Sequence, residues 1–110
     1  MLPRPVEYRR EFQADLRERL RWLAANRPPR QIDNLEEALV DFVRLVGANP
    51  GLGLEVAQRG GRTYRVFGLG KLPYLVWYFY AVEDPAAPVW LTMLLHEKQD
   101  RERFNPALFE

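Results

Sequence analysis

A chain of 110 residues, 47% hydrophobic and 13% aromatic, is long enough for one folded domain and too apolar to stay disordered. Because it contains no cysteine and one histidine, disulfides, thiolate nucleophiles and metal sites rich in cysteine or histidine are excluded. The 16 basic and 15 acidic residues leave a net charge of +1, so no global field attracts nucleic acid. We expect a single domain over residues 1–110 that needs no metal or other cofactor.

Neither a membrane span nor a secretory signal is expected. No apolar run reaches the ~18 residues that a transmembrane helix needs. Residues 1–5 lack the apolar core of a signal peptide. The sequence therefore favours a cytoplasmic protein without a membrane partner.

The N-terminal half begins with a predicted strand and helix. Residues 5–9 alternate apolar and polar side chains, which is typical of a short edge strand introduced by prolines. From Arg10 the apolar spacing changes to four and three, which predicts a helix of about four turns that ends at Pro28 and Pro29. The predicted apolar stripe consists of Phe12, Leu16, Leu20 and Leu23.

A second helix is predicted to follow and to pair with the first as a hairpin. Asp33 with Glu36 resembles an N-terminal capping arrangement, and Gly47 is a natural C-terminal stop. Its predicted buried face consists of Leu35, Leu39, Phe42, Val43 and Val46.

The C-terminal half predicts strands. Strand-like patterns cover residues 54–58, 62–69, 74–80 and 89–96, and the glycine pair at 60–61 is a hairpin signal. Strict alternation in the last strand predicts one face with Val89, Leu91, Met93 and Leu95, and another with Trp90, Thr92, Leu94 and His96.

The predicted fold class is α+β: an N-terminal strand, an α-helical hairpin, and then a three- to four-stranded antiparallel sheet. We expect the helix pair to cover one face of this sheet. The other face, with cations at its rim, would stay free to hold a polyanion or an acidic peptide.

His96 is a candidate for proton transfer, because its unperturbed pKa lies near physiological pH. Base rates favour the alternative, a structural histidine that is hydrogen-bonded at a strand end. One histidine cannot supply both the acid and the base of an RNase-type transfer. Asp100 would orient His96 if the segment between them is helical, or would cap the next turn.

Cations form the second group of candidates. Arg62 and Arg65 lie on one predicted strand and must point to opposite faces, because the side-chain period is two. The residues predicted to contact a target or an antitoxin are Arg59, Arg62, Arg65, Lys98, Arg101 and Arg103. The cations are explained either as a cluster that contacts phosphate or as a solvated rim paired with neighbouring carboxylates, and base rates slightly favour the rim.

Several short motifs, taken in order, resemble the RelE/ParE superfamily of small toxins from bacterial type II toxin–antitoxin systems. They cover nearly the whole chain and lie on either side of the helical hairpin. The motifs are VEY (6–8), FQADL (12–16), NPGLG (49–53), YRV (64–66), LVWY (75–78) and MLLH (93–96), followed by Asp100 and Arg101. The resemblance implies a compact toxin of β-α-α-β-β-β order, neutralised by a cognate antitoxin.

The superfamily has two branches with different implied targets. RelE-like members cleave mRNA on the ribosome with basic residues and a tyrosine, whereas ParE-like members poison DNA gyrase and lack that set. This sequence has Tyr74 where an arginine is usual, and Phe104 and Phe109 in place of a late tyrosine. It resembles the ParE branch more closely, which makes a plasmid-stabilisation toxin that binds gyrase our leading hypothesis.

Two alternatives stay open. In an mRNA endonuclease, the candidate catalytic residues would be Arg62, Arg65 and Lys98 for phosphorane charge, and Tyr74 or His96 for protons. In a non-toxic interaction module of the same fold, no catalytic group is needed. A homodimer and a toxin–antitoxin hetero-oligomer are the expected assemblies.

Overall fold

The structure is a computed structural model that describes residues 2–98. It is an α+β fold in the predicted order of strand, two helices and further strands. The elements are β1 (Val6–Tyr8), α1 (Arg10–Asn26), α2 (Pro29–Ala48), a 3-10 turn (Pro50–Leu52), β2 (Leu54–Arg59), β3 (Arg62–Gly68), β4 (Tyr74–Ala81) and β5 (Val89–His96). Within these residues, neither helix is both long and apolar enough to cross a membrane.

The sheet has five strands in the order β1-β5-β4-β3-β2. The antiparallel part of the sheet consists of β2 to β5. It has four strands, which is the larger of the two numbers predicted. β1 adds a fifth strand, parallel to β5, with Val6 opposite Val89. The predicted edge position of β1 is confirmed, and the helical hairpin follows it directly.

The two helices pack on one face of the sheet, as predicted. Phe12 and Leu23 of α1 are buried, and Leu35, Phe42 and Val46 of α2 are buried with them. These side chains join one apolar core with the helix-facing residues of the sheet. Burial of this kind is the main stabilising contribution in a domain of this size.

The start and end of α2 differ from the sequence prediction. α2 begins at Pro29, so Asp33 is an exposed interior residue and not a cap. Proline is well placed at the first position of a helix, because the N–H that it lacks has no intrahelical partner there. Gly47 does not end the helix either, since α2 continues to Ala48.

Gly47 is instead a site of close approach. Its carbonyl oxygen accepts a hydrogen bond from the Arg4 N–H at 2.8 Å, and a Cβ atom there would lie 2.9 Å from the Arg4 carbonyl oxygen. The glycine therefore allows the chain before β1 to pass against the end of α2.

A β-bulge in β5 is the main departure from the predicted strand pattern. Trp77 pairs with Met93, but the next residue, Tyr78, pairs with Leu91. Thr92 is therefore an extra residue in β5, and its hydroxyl donates to the Trp77 carbonyl oxygen at 3.0 Å. The prediction of strict alternation was wrong, because an inserted residue reverses the faces of all positions after it.

The two halves of β5 consequently contribute to different layers. Val89 and Leu91 belong to the core under the helices, and beyond the bulge Leu94 belongs to it as well. Met93 and Leu95 form a second cluster with Trp77 on the opposite face. All three of these side chains are 5% exposed or less, so the expectation of a free apolar face is not met at these positions.

The predicted glycine hairpin between β2 and β3 is confirmed. Gly60 and Gly61 have φ values of +57° and +77°, which L residues with a side chain rarely adopt. Arg59 and Arg62 face each other directly beside this turn.

Gly53 provides a test of the packing between the 3-10 turn and the sheet. A Cβ atom at Gly53 would lie 2.6 Å from the Val66 carbonyl oxygen, so backbone atoms must move in Gly53→Ala. We expect this substitution to lower the free energy of unfolding by about 1–3 kcal/mol. Urea denaturation followed by circular dichroism measures the change.

The matched control is Gly51→Ala, where the nearest atom to the new Cβ is the Asn49 side-chain oxygen at 3.4 Å. We expect this variant to stay within about 1 kcal/mol of the parent chain. Equal stability of the two variants would contradict the close approach at Gly53.

Candidate functional site

Arg65 is a structural residue on the helix-facing side of β3. Its Nε donates to the Tyr80 hydroxyl at 3.0 Å, and its Nη1 donates to the Gly53 carbonyl oxygen at 2.8 Å. Its Nη2 lies 3.7 Å from Glu55 Oε1. The guanidinium thus joins the start of β2 to β4, and two of its nitrogens donate hydrogen bonds inside the protein.

Tyr78 completes the same connection. Its hydroxyl donates to the Pro50 carbonyl oxygen at 2.6 Å and accepts from the Gly53 N–H at 2.8 Å. Burial raises the pKa of Tyr78 above its ordinary 10.0, and the Gly53 hydrogen bond and the Arg65 charge only partly offset this. The hydroxyl is therefore a neutral donor that fixes the loop before β2.

Arg62 lies on the other face of the sheet, as the strand period predicts. Its guanidinium carbon lies 4.7 Å from the centroid of the Phe79 ring, and that of Arg9 lies 5.9 Å from the same ring. Arg59 is its register neighbour in β2. Three arginines from β2, β3 and the end of β1 therefore form a cationic rim at this end of the sheet.

Tyr74 and His96 meet at the opposite end of the sheet. They are register partners in β4 and β5, and their ring centroids are 5.6 Å apart at 89°. His96 Nδ1 accepts a hydrogen bond from the Lys98 backbone N–H at 3.2 Å. A neutral imidazole with this acceptor carries its proton on Nε2.

A pocket of about 590 Å³ opens beside these two rings. It lies between the end of α1, the start of α2, the β3–β4 turn and the end of β5; we call it the helix-end pocket. The side chains that define its chemistry are Trp22, Arg27, Arg30, Asn34, Tyr74 and His96.

Arginines stack on the aromatic rings of this pocket. The guanidinium carbon of Arg27 lies 4.9 Å from the Trp22 ring centroid, and that of Arg19 lies 5.5 Å from both the Trp22 and Tyr74 centroids. Burial raises the pKa of Tyr74, with Arg19 and Arg27 acting in the opposite direction. The pocket can therefore offer cationic donors and a neutral hydroxyl, and no acid lines it within residues 2–98.

The comparison with known families agrees with this fold. The family model described as "ParE toxin of type II toxin-antitoxin system, parDE" matches residues 6–101. The chain belongs to the ParE toxin family. The predicted membership of the RelE/ParE superfamily is therefore confirmed, and the family implies an antitoxin as partner. No curated protein matches the chain.

The structure brings together only some of the candidate residues of this ParE-family chain. Tyr74, His96 and the Lys98 backbone meet at one end of the sheet, whereas Arg62 lies at the other end. Arg65 is on the opposite face from Arg62 and is bonded to Glu55. Three further candidates, Asp100, Arg101 and Arg103, lie outside the described residues.

Sequence reasoning missed the arginines of the helix-end pocket. Arg27 and Arg30 line the pocket from the turn between the helices and from the first turn of α2, and Arg19 of α1 lies against two of its rings, but none of the three was among the predicted site residues. The available signal was Trp22, a large aromatic residue on the polar side of α1, with Arg19 three positions before it and Arg27 in the turn.

A second concave surface lies on the helical hairpin. The α1–α2 groove, of about 260 Å³, is lined by Tyr8, Phe12, Leu16, Glu36, Leu39, Val40, Val43 and Leu91. Val40 is 67% exposed and Tyr8 is 45% exposed, although both are large and apolar. An exposed apolar concavity of this kind is typical of a protein-binding surface.

Arg65→Gln and Arg62→Gln form a matched pair that tests the structural role of Arg65. Loss of the Arg65 hydrogen bonds should lower the free energy of unfolding by about 1–3 kcal/mol. Arg62→Gln removes only a contact with the Phe79 ring and should cost less than about 1 kcal/mol. Urea denaturation at one salt concentration measures both variants, and an equal or larger loss in Arg62→Gln would contradict the assignment.

Proposed function

We propose that this ParE-family chain is the toxin of a type II toxin–antitoxin pair of the plasmid-stabilisation type. Its cognate antitoxin holds it in a toxin–antitoxin hetero-oligomer, and the released toxin acts in the cytoplasm on DNA gyrase. The observation that carries this proposal is the family match over residues 6–101, which spans the helices and strands of the described part of the chain.

The geometry supports a toxin that acts by binding. The endonuclease hypothesis needs Arg62, Arg65 and Lys98 around one phosphate, but Arg62 and Arg65 lie on opposite faces. Two nitrogens of Arg65 also donate hydrogen bonds to Tyr80 and Gly53. A cationic rim and a separate apolar groove remain, and both are features of an interaction surface.

We assign the α1–α2 groove to the antitoxin. The family implies such a partner, and the groove offers the exposed apolar surface that a wrapping segment would bury. Its volume of about 260 Å³ suits one or two apolar side chains. Glu36 at its edge favours a partner segment that carries a basic residue beside these apolar ones.

Induced expression of the chain tests toxicity and its target together. We expect growth arrest that co-expression of the adjacent antitoxin gene relieves, and loss of supercoiling activity when purified chain is added to gyrase. Normal growth on induction, with the chain confirmed as soluble and folded, would contradict a toxin and favour the non-toxic interaction module.

One observation favours the endonuclease as a second candidate: Tyr74 and His96 lie in contact beside arginines. Primer extension on translated mRNA separates the two targets. Codon-positioned cleavage together with unaffected supercoiling would replace gyrase by the ribosome as the target.

Val40→Glu tests the assignment of the groove. A carboxylate placed in an apolar interface is desolvated without a partner, so the antitoxin should bind at least about tenfold more weakly. Isothermal titration calorimetry with the purified antitoxin measures the affinity. The control is Leu54→Glu on β2, which is 72% exposed and lies outside the groove; equal losses in both variants would contradict the assignment.

A further inference from the structure

We propose that the helix-end pocket binds a nucleotide, with Arg27 and Arg30 on its phosphate and the sheet-derived wall against its base. This binding activity goes beyond the proposed action on gyrase and does not depend on it. Three features of the pocket support this proposal: its two unlike walls, its size, and a lining that contains no acid among residues 2–98.

The helices provide the cationic wall. Arg27 follows the end of α1, and Arg30 lies in the first turn of α2. Neither has a carboxylate partner within residues 2–98. Guanidinium groups are well suited to phosphate, because their planar fork of donors matches two phosphate oxygens.

The position of Arg27 is partly fixed before any ligand binds. Its side chain stacks on Trp22, and its Nη1 donates to the Asn26 carbonyl oxygen at 3.0 Å. Arg19 stacks on the same tryptophan and adds positive charge behind the wall. An arginine held in this way loses less side-chain entropy on binding than a freely moving one.

The sheet end provides the second wall, which combines apolar side chains with two aromatic rings. Leu72 and Pro73 come from the β3–β4 turn, and the rings of Tyr74 and His96 follow. Neutral Tyr74 adds a hydroxyl donor in this otherwise apolar surface. A heterocyclic base needs a surface of this kind, with an apolar face and a few polar edges.

Size and charge favour a nucleotide over a peptide carboxylate. The volume of about 590 Å³ lies within the range of small-molecule sites and exceeds what one acidic side chain fills. None of the ten lining residues in the described part of the chain is acidic, so a doubly charged phosphate meets no repulsion there. A carboxylate would use the cationic wall alone.

The test is a two-dimensional NMR titration of the full chain with 5′-AMP, adenosine, inorganic phosphate and hexaglutamate. We expect 5′-AMP to saturate and to shift the Trp22 indole and His96 signals. Its affinity should exceed those of adenosine and phosphate by at least about tenfold each, because it contacts both walls. Competition between a 5′-phosphorylated hexanucleotide and 5′-AMP would identify the ligand as the 5′ end of a nucleic-acid strand. Absence of competition would identify it as a free nucleotide.

The double variant Arg27→Gln/Arg30→Gln should bind 5′-AMP at least about tenfold more weakly. The control is Arg44→Gln on α2, which removes an exposed arginine paired with Asp41 at 3.7 Å and should leave binding unchanged. Thermal unfolding of each variant confirms the fold.

Three results would overturn the proposal: no saturation by 5′-AMP at about 10 mM, equal weakening in Arg44→Gln, or hexaglutamate binding at the same residues as tightly as 5′-AMP. The last would identify a surface for acidic peptides. Because none of these readouts involves growth or gyrase, failure here is distinguishable from failure of the toxin assignment.

Discussion

One extra residue in β5 determines which side chains share a face at the end of the sheet. β4 alternates regularly, with Tyr74 and Tyr78 facing the helices. Thr92 shifts the register of β5 by one, so His96 turns toward the same side as Tyr74. Without this bulge His96 would point to the opposite face, and the sheet-derived wall of the helix-end pocket would lose His96.

The bulge also explains how a small domain can bury apolar side chains on both faces of its central strands. Leu91 and Leu94 both pack under the helices, although they are three positions apart. Met93 and Leu95 pack with Trp77 on the other side. The hydroxyl of Thr92 donates to the Trp77 carbonyl oxygen at the point where the ladder is interrupted, so this acceptor is paired despite the irregularity.

The two ends of the sheet present different side chains. At the β2–β3 turn, Arg62 and Arg9 stack on Phe79 and form an exposed cationic rim. At the other end, the arginines of the helices meet aromatic rings of the sheet in a concave pocket. Within the described residues, the groove, the rim and the pocket share no residue and so form three separate surfaces.

The helices and strands could be predicted from the sequence, but the helix-end pocket could not. Periodicity predicted both helices and the antiparallel strands, because the apolar stripe of α1 and the aromatic run of β4 are strong signals. Periodicity and the capping motif placed the start of α2 at Asp33, because such a motif is visible in the sequence. The use of Pro29 as the first helical residue depends on the hairpin that the two helices form. The bulge at Thr92 has no sequence signature, so every face assignment beyond it was reversed.

The pocket itself depends on contacts between distant segments. Arg27 and Arg30 meet Tyr74 and His96 only after the helical hairpin has packed on the sheet. Arg65 likewise has contacts that its position in an arginine-rich strand does not reveal, because the folded chain uses it to donate hydrogen bonds to Gly53 and Tyr80.

A nuclear Overhauser spectrum of the full chain in solution tests the bulge most directly. The account predicts cross-peaks between the His96 and Tyr74 rings, together with cross-peaks between the Trp77 indole and the Met93 methyl group. Cross-peaks from the Tyr74 ring to the Leu95 methyl groups in place of His96, without cross-peaks between Trp77 and Met93, would show an unbroken β5 and would contradict the bulge.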